Sequence, residues 1–600
     1  MKTNKKNTIM KRINIIPLIL ATLLLIMISC SKDWLKPDPL SFYAPESIYV
    51  DEAGFESGLV RCRKEMNAEN HGYQNYIAVD VMYTDIAVPL RQSDFTQNTP
   101  SAVAQVPLVL NFFNQAYDYI KNANTIISRI DNIKWADEAI RNRILSEALF
   151  FRSYWYYRLV NTYGDIPWVG SEVKGAKLDY SSTSRWAILG QLQKDLEYAV
   201  QYLPVTPAKL GNVTKGTVNH LLTKVYLANC EFDKAITAAT AVITGPYALM
   251  TARFGIDAAK KFHDIQWDLH RCDNKNLAIN KETIYATVDR ATAAPETWWS
   301  NPGTYSMRLY TPSYWKVLDA TGNRACNWQT VPGDTLGIGN GDVRTNDYFH
   351  YWMWYEGSYT WQTTPDNRRA PNNWIEMGKT TAEIITVRPG SPQLGLPLSK
   401  QFYKSLADTT DTWYPWPQYK TFTPTPNFNQ PHGGQGDWYT FRLAETYLLR
   451  AEAYYWKGQA GLAADDINKV RARANAPLIT AADGNIEYIF TERAKELYTE
   501  EPRHSEMVRV SFIFAKLNKD GYSLATITEK NWYYDRVMRL NPFYRVPKYT
   551  FWDATARMNP SHMLWPIPQS VITANTLGTI NQNKGYDGDA KNIAPLETIN

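Results

Sequence analysis

Two segments far apart in this 600-residue chain repeat one spacing. In "LLTKVYLANCEFDKAITAATAV" Tyr226 stands nine residues before Ala235, and in "RAEAYYWKGQAGLAADDINKVRARA" Tyr454 stands nine before Ala463. Ala451 comes three residues before the second tyrosine, and Ile467 and Val470 follow at helical steps. A small residue at that distance lets two antiparallel helices touch, and the ring fills the gap above the contact. Each such pair leaves an apolar face that needs a neighbour, so the two are expected to stack despite their separation in sequence.

The spacing is that of the tetratricopeptide helix pair, and it sets the fold class as mainly α, with TPR-like pairs forming a scaffold. Helical patterns dominate from about 51 to 250, and two long helices are predicted over 108–130 and 137–163. The second contains "SEALFFRSYWYYRLVNTYGDIPWVG", in which Leu145, Ala148, Leu149, Arg152, Trp155, Tyr156 and Leu159 mark one helical side. Gly164 stands where a C-terminal cap belongs, and Pro167 ends the helix. These rings read as core, with the stems of Arg152 and Arg158 along them and the charged heads turned outward or paired to acids.

The N-terminus carries Lys2, Lys5, Lys6, Lys11 and Arg12, then an almost unbroken apolar run from Ile13 to Ile28, then Ser29-Cys30. This is the pattern of a secretory signal ending in a cysteine, similar to a bacterial lipobox. Cleavage before Cys30 removes five of the 64 basic residues and none of the 59 acidic ones, so the mature chain is close to neutral. A neutral chain lacks the positive surplus that nucleic acid requires. No later run is long and apolar enough to span a bilayer, so the membrane is expected to hold the protein through lipid on Cys30 only. Cys62, Cys230, Cys272 and Cys326 form no CxxC pair and leave the choice between a disulfide and free thiols open.

Residues 291–440 change character, holding 14 of the 33 prolines and 11 of the 21 tryptophans with little helical period. Long irregular insertions are costly to order and usually functional, so the site is sought in this lobe. Trp298 and Trp299 are adjacent and cannot both face inward from a helix or strand; Tyr305 follows. Trp352 and Trp354 share one face if "YFHYWMWYEGSYTW" is a strand, and Trp361 closes the run. Sugars offer C–H faces that stack on such rings. In "YTDIAVPLRQSDF", Asp85, Arg91 and Asp94 could bond hydroxyls, with Tyr83 and Phe95 as walls.

Several motifs together resemble the SusD/RagB nutrient-binding outer-membrane lipoproteins of Bacteroidetes-type bacteria. "SEALFFRSYWYYRLVNTYGDIPWV" resembles that family's Ala-Arg-aromatic helix, "KGTVNHLLTKVYLANCEFDKAITAATAVI" its repeat helices and "KETIYAT" its Glu-x-Ile strand. "FRLAETYLLRAEAYY" is similar to its second repeat helix, and "LWPIPQSVITAN…INQNKGY" to its closing segment. "TERAKELYTEEPRHSEMVRV" resembles its Glu-Arg helix through Glu492, Arg493, Glu496, Leu497, Glu500 and Arg503. Glu501 stands where Gly is usual, and His504 and Glu506 replace Trp and Asp. The resemblance implies a TPR-containing helical fold with an irregular lobe, and a lipoprotein that caps a SusC-like TonB-dependent transporter and delivers glycans or, in some members, peptides.

Glu492, Glu496 and Glu500 recur at four-residue steps, where Arg493 and Arg503 can neutralise them, so they read as an ion-pair network and not as catalytic acids. A glycosidase needs two carboxylates flanking a cleft from different elements, and nothing marks such a pair. No GxSxG, HExxH or P-loop occurs, and Asp334 and Asp342 lack EF-hand spacing, so no cofactor or metal is expected. The expected organisation is a signal at 1–29, a lipidated tether at 30–50, a helical scaffold at 51–290, a Trp-rich binding lobe at 291–440 and a C-terminal helical region at 441–600. The function expected is non-enzymatic capture of glycan at the outer membrane, facing the cell exterior, for delivery to the transporter. The alternatives are a peptide-binding member of the same architecture and a surface glycoside hydrolase.

Overall fold

The computed structural model describes residues 45–73, 75–89, 107–290, 303–326, 333–379, 385–400, 411–424, 431–545, 550–551, 554–555 and 558–599. Near the N-terminus lie α1 (Glu52–Glu65), α2 (Tyr76–Met82) and the short β1 (Ala87–Pro89). Five helices then run in sequence: α3 (Pro107–Arg129), α4 (Glu138–Tyr163), α5 (Arg185–Tyr202), α6 (Lys215–Ala228) and α7 (Phe232–Ile243). The predicted helices at 108–130 and 137–163 are α3 and α4. Asp137 caps α4 by accepting the Ala139 N–H, and Gly164 ends it at φ 72° with its N–H on the Val160 carbonyl.

The α4 helix differs from the one-sided helix expected. It is buried on every side from Ser146 to Tyr163, because α3, α5, α1 and a C-terminal helix enclose it. Its arginines therefore do not reach solvent. Arg152 pairs with Asp195 at 2.6 Å, and Arg158 pairs with Glu69 and Asp80 at 2.7 Å each, which gives both charges buried counter-ions.

The chain continues through β2 (Thr283–Thr287) and β3 (Val343–Thr345), the latter antiparallel to β1. β4 (Trp438–Arg442) pairs antiparallel with β2 and leads into α8 (Leu443–Trp456) and α9 (Ala460–Arg473), followed by α10 (Ile486–Leu497), α11 (Arg503–Lys516) and α12 (Trp532–Leu540). The pairs α6/α7 and α8/α9 are those of the repeated spacing, with Ala235, Ala451 and Ala463 fully buried at the helix contacts. They do stack. The Phe232 and Trp456 rings lie 6.1 Å apart, and Arg450 of α8 reaches Thr240 of α7 at 2.9 Å. Among the described residues no helix is long and apolar enough to cross a membrane, and Cys62, Cys230, Cys272 and Cys326 are free thiols.

Between 303 and 437 no described helix exceeds four residues. Much of this region's aromatic content replaces regular core. Tyr314, Val317, Cys326, Leu398 and Trp416 form a small cluster of their own, while Tyr310, Phe349, Trp354 and Trp374 join the main core.

Glu492 and Glu496 of α10, with Glu500 just past its end, do form an ion-pair network, with other partners than expected. Glu492 pairs with Arg368 and Arg471, Glu496 with Arg368, Arg442 and Arg473, and Glu500 with Lys420 and Arg442. Arg493 turns instead to Glu445, Glu501 and Glu506, and Arg503 to Asp85 and Glu501. Glu501 and Glu506, two of the departures from the family pattern, are thus built into buried charge pairs, and the third, His504, lies against the Trp565 and Tyr533 rings.

Candidate functional site

Trp352 is the most exposed tryptophan among the described residues, at 47%. It sits on a loop whose local sequence explains its position. Asn346 caps a single helical turn (Asp347–His350), and residues Trp352–Trp354 make a 3-10 turn in place of the strand expected. At three residues per turn, positions two apart point about 120° away from each other round the axis. Trp354 therefore points inward, 2% exposed, donating its indole N–H to the Phe349 carbonyl at 3.0 Å and meeting Trp374 edge-on. Trp352 points out. Gly357, at φ 59°, then reverses the chain, and Glu356 and Tyr359 exchange backbone hydrogen bonds of 3.0 and 3.2 Å across the turn.

One carboxylate holds this loop to the scaffold. Glu356 accepts from Arg471 at 2.6 Å, from the Tyr488 hydroxyl at 3.0 Å and from Lys495. Burial would raise its pKa, but Lys495 and Arg471 outweigh that and hold it at about 2. With Trp354 plugged below and Glu356 tied to α9 and α10, the rings of Trp352, Tyr355 (54% exposed) and Tyr359 (38%) stand on a fixed backbone facing solvent. None of the three has a ring partner among the described residues. The loop therefore offers flat apolar faces beside phenolic hydroxyls, the chemistry that suits the C–H faces and hydroxyls of a sugar. Trp361, half-buried, is already engaged: Tyr351 lies 5.2 Å from it, and Arg369 and Lys379 sit 4.8 and 5.2 Å from its ring.

Other expected site residues lie elsewhere. Tyr305 does not join the Trp352 loop; it stacks nearly parallel on His432 at 5.4 Å, with Tyr73 edge-on and Arg308 over the Tyr73 ring. Tyr305 adopts φ 53°, a left-handed conformation rare for a bulky residue, and its ring is buried. Burial and the neighbouring Arg308 push His432 down to about 3, so it is neutral at physiological pH. Tyr83 and Asp85 are corrected from surface positions to the interior. Asp85 is fully enclosed, bound by Arg503 at 2.6 Å and Arg536 at 2.7 Å, and these guanidiniums reverse the effect of burial and hold it at about 2. Tyr83 lies edge-on to Trp565 inside the core. Trp354 is corrected likewise. Trp298, Trp299, Arg91, Asp94, Phe95 and Cys30 lie outside the described residues. Tyr355 and Tyr359 went unnoticed in the sequence although they flank the "EGS" turn that turns them outward.

The fold defines a helical-repeat scaffold protein carrying a loop-rich lobe, and comparison with known proteins agrees. Residues 295–586 match the SusD family model, and residues 49–227 match the model described as "Starch-binding associating with outer membrane". The chain belongs to the SusD-like family. It is 23% identical over 588 residues to SusD-like protein P25 of Formosa agariphila, covering 93% of this chain and 97% of that one. SusD-like protein P2 of the same organism is 28% identical over 278 residues, 44% of this chain and about half (51%) of that relative's length. Among solved structures, the surface glycan-binding protein A from Bacteroides uniformis superposes with a TM-score of 0.60 at 16% identity, covering 89% of this chain and 99% of that one, which is a likeness of fold.

Proposed function

We propose that this protein is a lipid-anchored glycan-binding protein of the outer membrane, facing the cell exterior and without catalytic activity. It captures oligosaccharide on the Trp352, Tyr355 and Tyr359 rings and passes it to a SusC-like TonB-dependent transporter. The binding loop belongs to an irregular lobe at 291–440 carried between helical regions at 51–290 and 441–600. The observation that carries this reading is the anchored loop, which keeps three aromatic faces, unstacked among the described residues, exposed where a monomer gains nothing from exposing them. Family membership supports it, as does a fold shared with a surface glycan-binding protein. Sugar is favoured over peptide because peptide recognition draws on backbone hydrogen bonding, whereas this loop presents flat rings. Isothermal titration against oligosaccharide and peptide panels tests it, with product analysis after incubation. Heat of binding with oligosaccharide alone and no released product is expected; binding of peptides alone, or cleavage of the sugar, overturns it.

A further inference from the structure

A second surface lies at one end of the helical scaffold. Side-chain pairs fix the helix directions there. Tyr198 bonds Asn142 and Arg152 bonds Asp195, so α4 and α5 are antiparallel; Tyr226 meets Glu197 and Asn229 meets Gln193, so α5 and α6 are antiparallel too. The C-terminal end of α3, the start of α4, the end of α5 and the start of α6 therefore share one end of the molecule. The first described helix (Pro45–Ile48) is tied to that same end by Glu46, which pairs with Arg129 at 2.5 Å.

At this end the loop after α5, the turn at Pro246 and residues 275–286 surround a cleft of about 340 Å³. Val205, Leu210 and Leu277 stand exposed on its rim, exposed Ile279 lies between the lining residues Ala278 and Asn280 in sequence, and Val288 lies beside Gly211 of the same loop. Among the described residues, the charged groups that line it are Lys281, which is exposed, and Lys275, which is buried with its ammonium donating to the His270 carbonyl at 2.9 Å; no carboxylate lines it. Lys209 is exposed beside Leu210, and neither Lys209 nor Lys281 has a carboxylate partner among the described residues.

We infer that the rim of this cleft is a membrane-docking face that seats on an anionic lipid surface. Protruding aliphatic side chains beside unpaired lysines are the composition of an interfacial contact, in which apolar groups enter the headgroup boundary and lysines meet lipid phosphates. Position is consistent with this: the stretch from Cys30 to Pro45 reaches about 50 Å when extended, which lets this end meet the bilayer from an anchor on Cys30. The inference rests on the lipoprotein reading in that one respect. A docked face would fix the orientation of the body, which one flexible tether leaves undetermined.

The test uses the chain from Ser31 onward, which carries every described element and no lipid. It is sedimented with phosphatidylcholine vesicles with and without phosphatidylglycerol, alongside the double variant Leu210→Glu/Ile279→Glu. Both positions are exposed, so the melting temperature should not change. Binding to the phosphatidylglycerol vesicles is expected, weakened by salt and reduced about tenfold or more in the variant. Absence of vesicle binding, or equal binding by both chains, overturns the inference. Loss of transporter co-purification by the variant without any vesicle binding overturns it as well, by assigning the face to a protein. Lipid labelling of the full chain against Cys30→Ala tests the anchor separately, and its failure would leave the vesicle result standing.

Discussion

The runs "ALFFRSYWYYRLV" in α4 and "YFHYWMWYEGSYTW" at 348–361 are similarly rich in rings, yet the first hides all of them and the second leaves Trp352, Tyr355 and Tyr359 exposed. In α4 every ring of the run is buried, with contacts such as Trp155 edge-on to Tyr154 at 5.2 Å, because neighbouring helices cover all sides of a continuous helix. The second run has no continuous helix. Its 3-10 turn sends Trp354 inward and Trp352 outward, and Tyr355 and Tyr359 stay exposed on either side of the Gly357 turn. Ring exposure is thus decided by how the backbone is held, and in the loop that task falls to Glu356.

Substitutions can break this contrast from either side. Arg158→Met in α4 would leave Glu69 and Asp80 buried without their guanidinium, and a loss of about 3–5 kcal/mol is expected in urea unfolding. Glu356→Gln removes the negative charge, and one of the two acceptor oxygens, shared by Arg471, Tyr488 and Lys495; a loss of about 2 kcal/mol is expected, together with faster amide exchange confined to 351–361.

The same anchor has a pH signature. The pKa of Glu356 is depressed in the fold, to about 2, so its stabilising contribution is complete above the ordinary carboxylate range and is lost as pH falls from about 4 toward 2. Loop exchange should rise in that window in the native chain, and Glu356→Gln should flatten the response. Gly357→Ala meets no side chain or backbone atom, so its expected cost is the left-handed backbone alone, about 1 kcal/mol by thermal melting. Trp352→Ala is the smallest, with stability unchanged to within about 0.5 kcal/mol.

The scaffold was legible because its signals are local and periodic. The Tyr226–Ala235 and Tyr454–Ala463 spacing, the Asp137 cap and Gly164 each state a helix or its end, and family motifs supplied the rest. The site was legible only in part. The ring-rich run at 348–361 was visible, but which ring faces water depends on a 3-10 turn and on Arg471 and Lys495, more than a hundred residues away. Asp85 and Tyr83 misled for the same reason. A polar loop residue and one whose charge is consumed by Arg503 and Arg536 are the same in sequence, since the pairing partners lie over four hundred residues downstream. Tyr355 and Tyr359 carry a weaker sequence signal for stacking than tryptophan does, and the Gly357 turn beside them is the cue to their exposure.

The most direct measurement is titration of the double variant Trp352→Ala/Tyr355→Ala with the oligosaccharide that binds the native chain, with thermal melting run in parallel. Each stacked ring contributes on the order of 1 kcal/mol, so affinity should fall roughly tenfold or more while the melting temperature holds. Unchanged affinity in a folded variant would contradict the proposal that sugar is held on this loop.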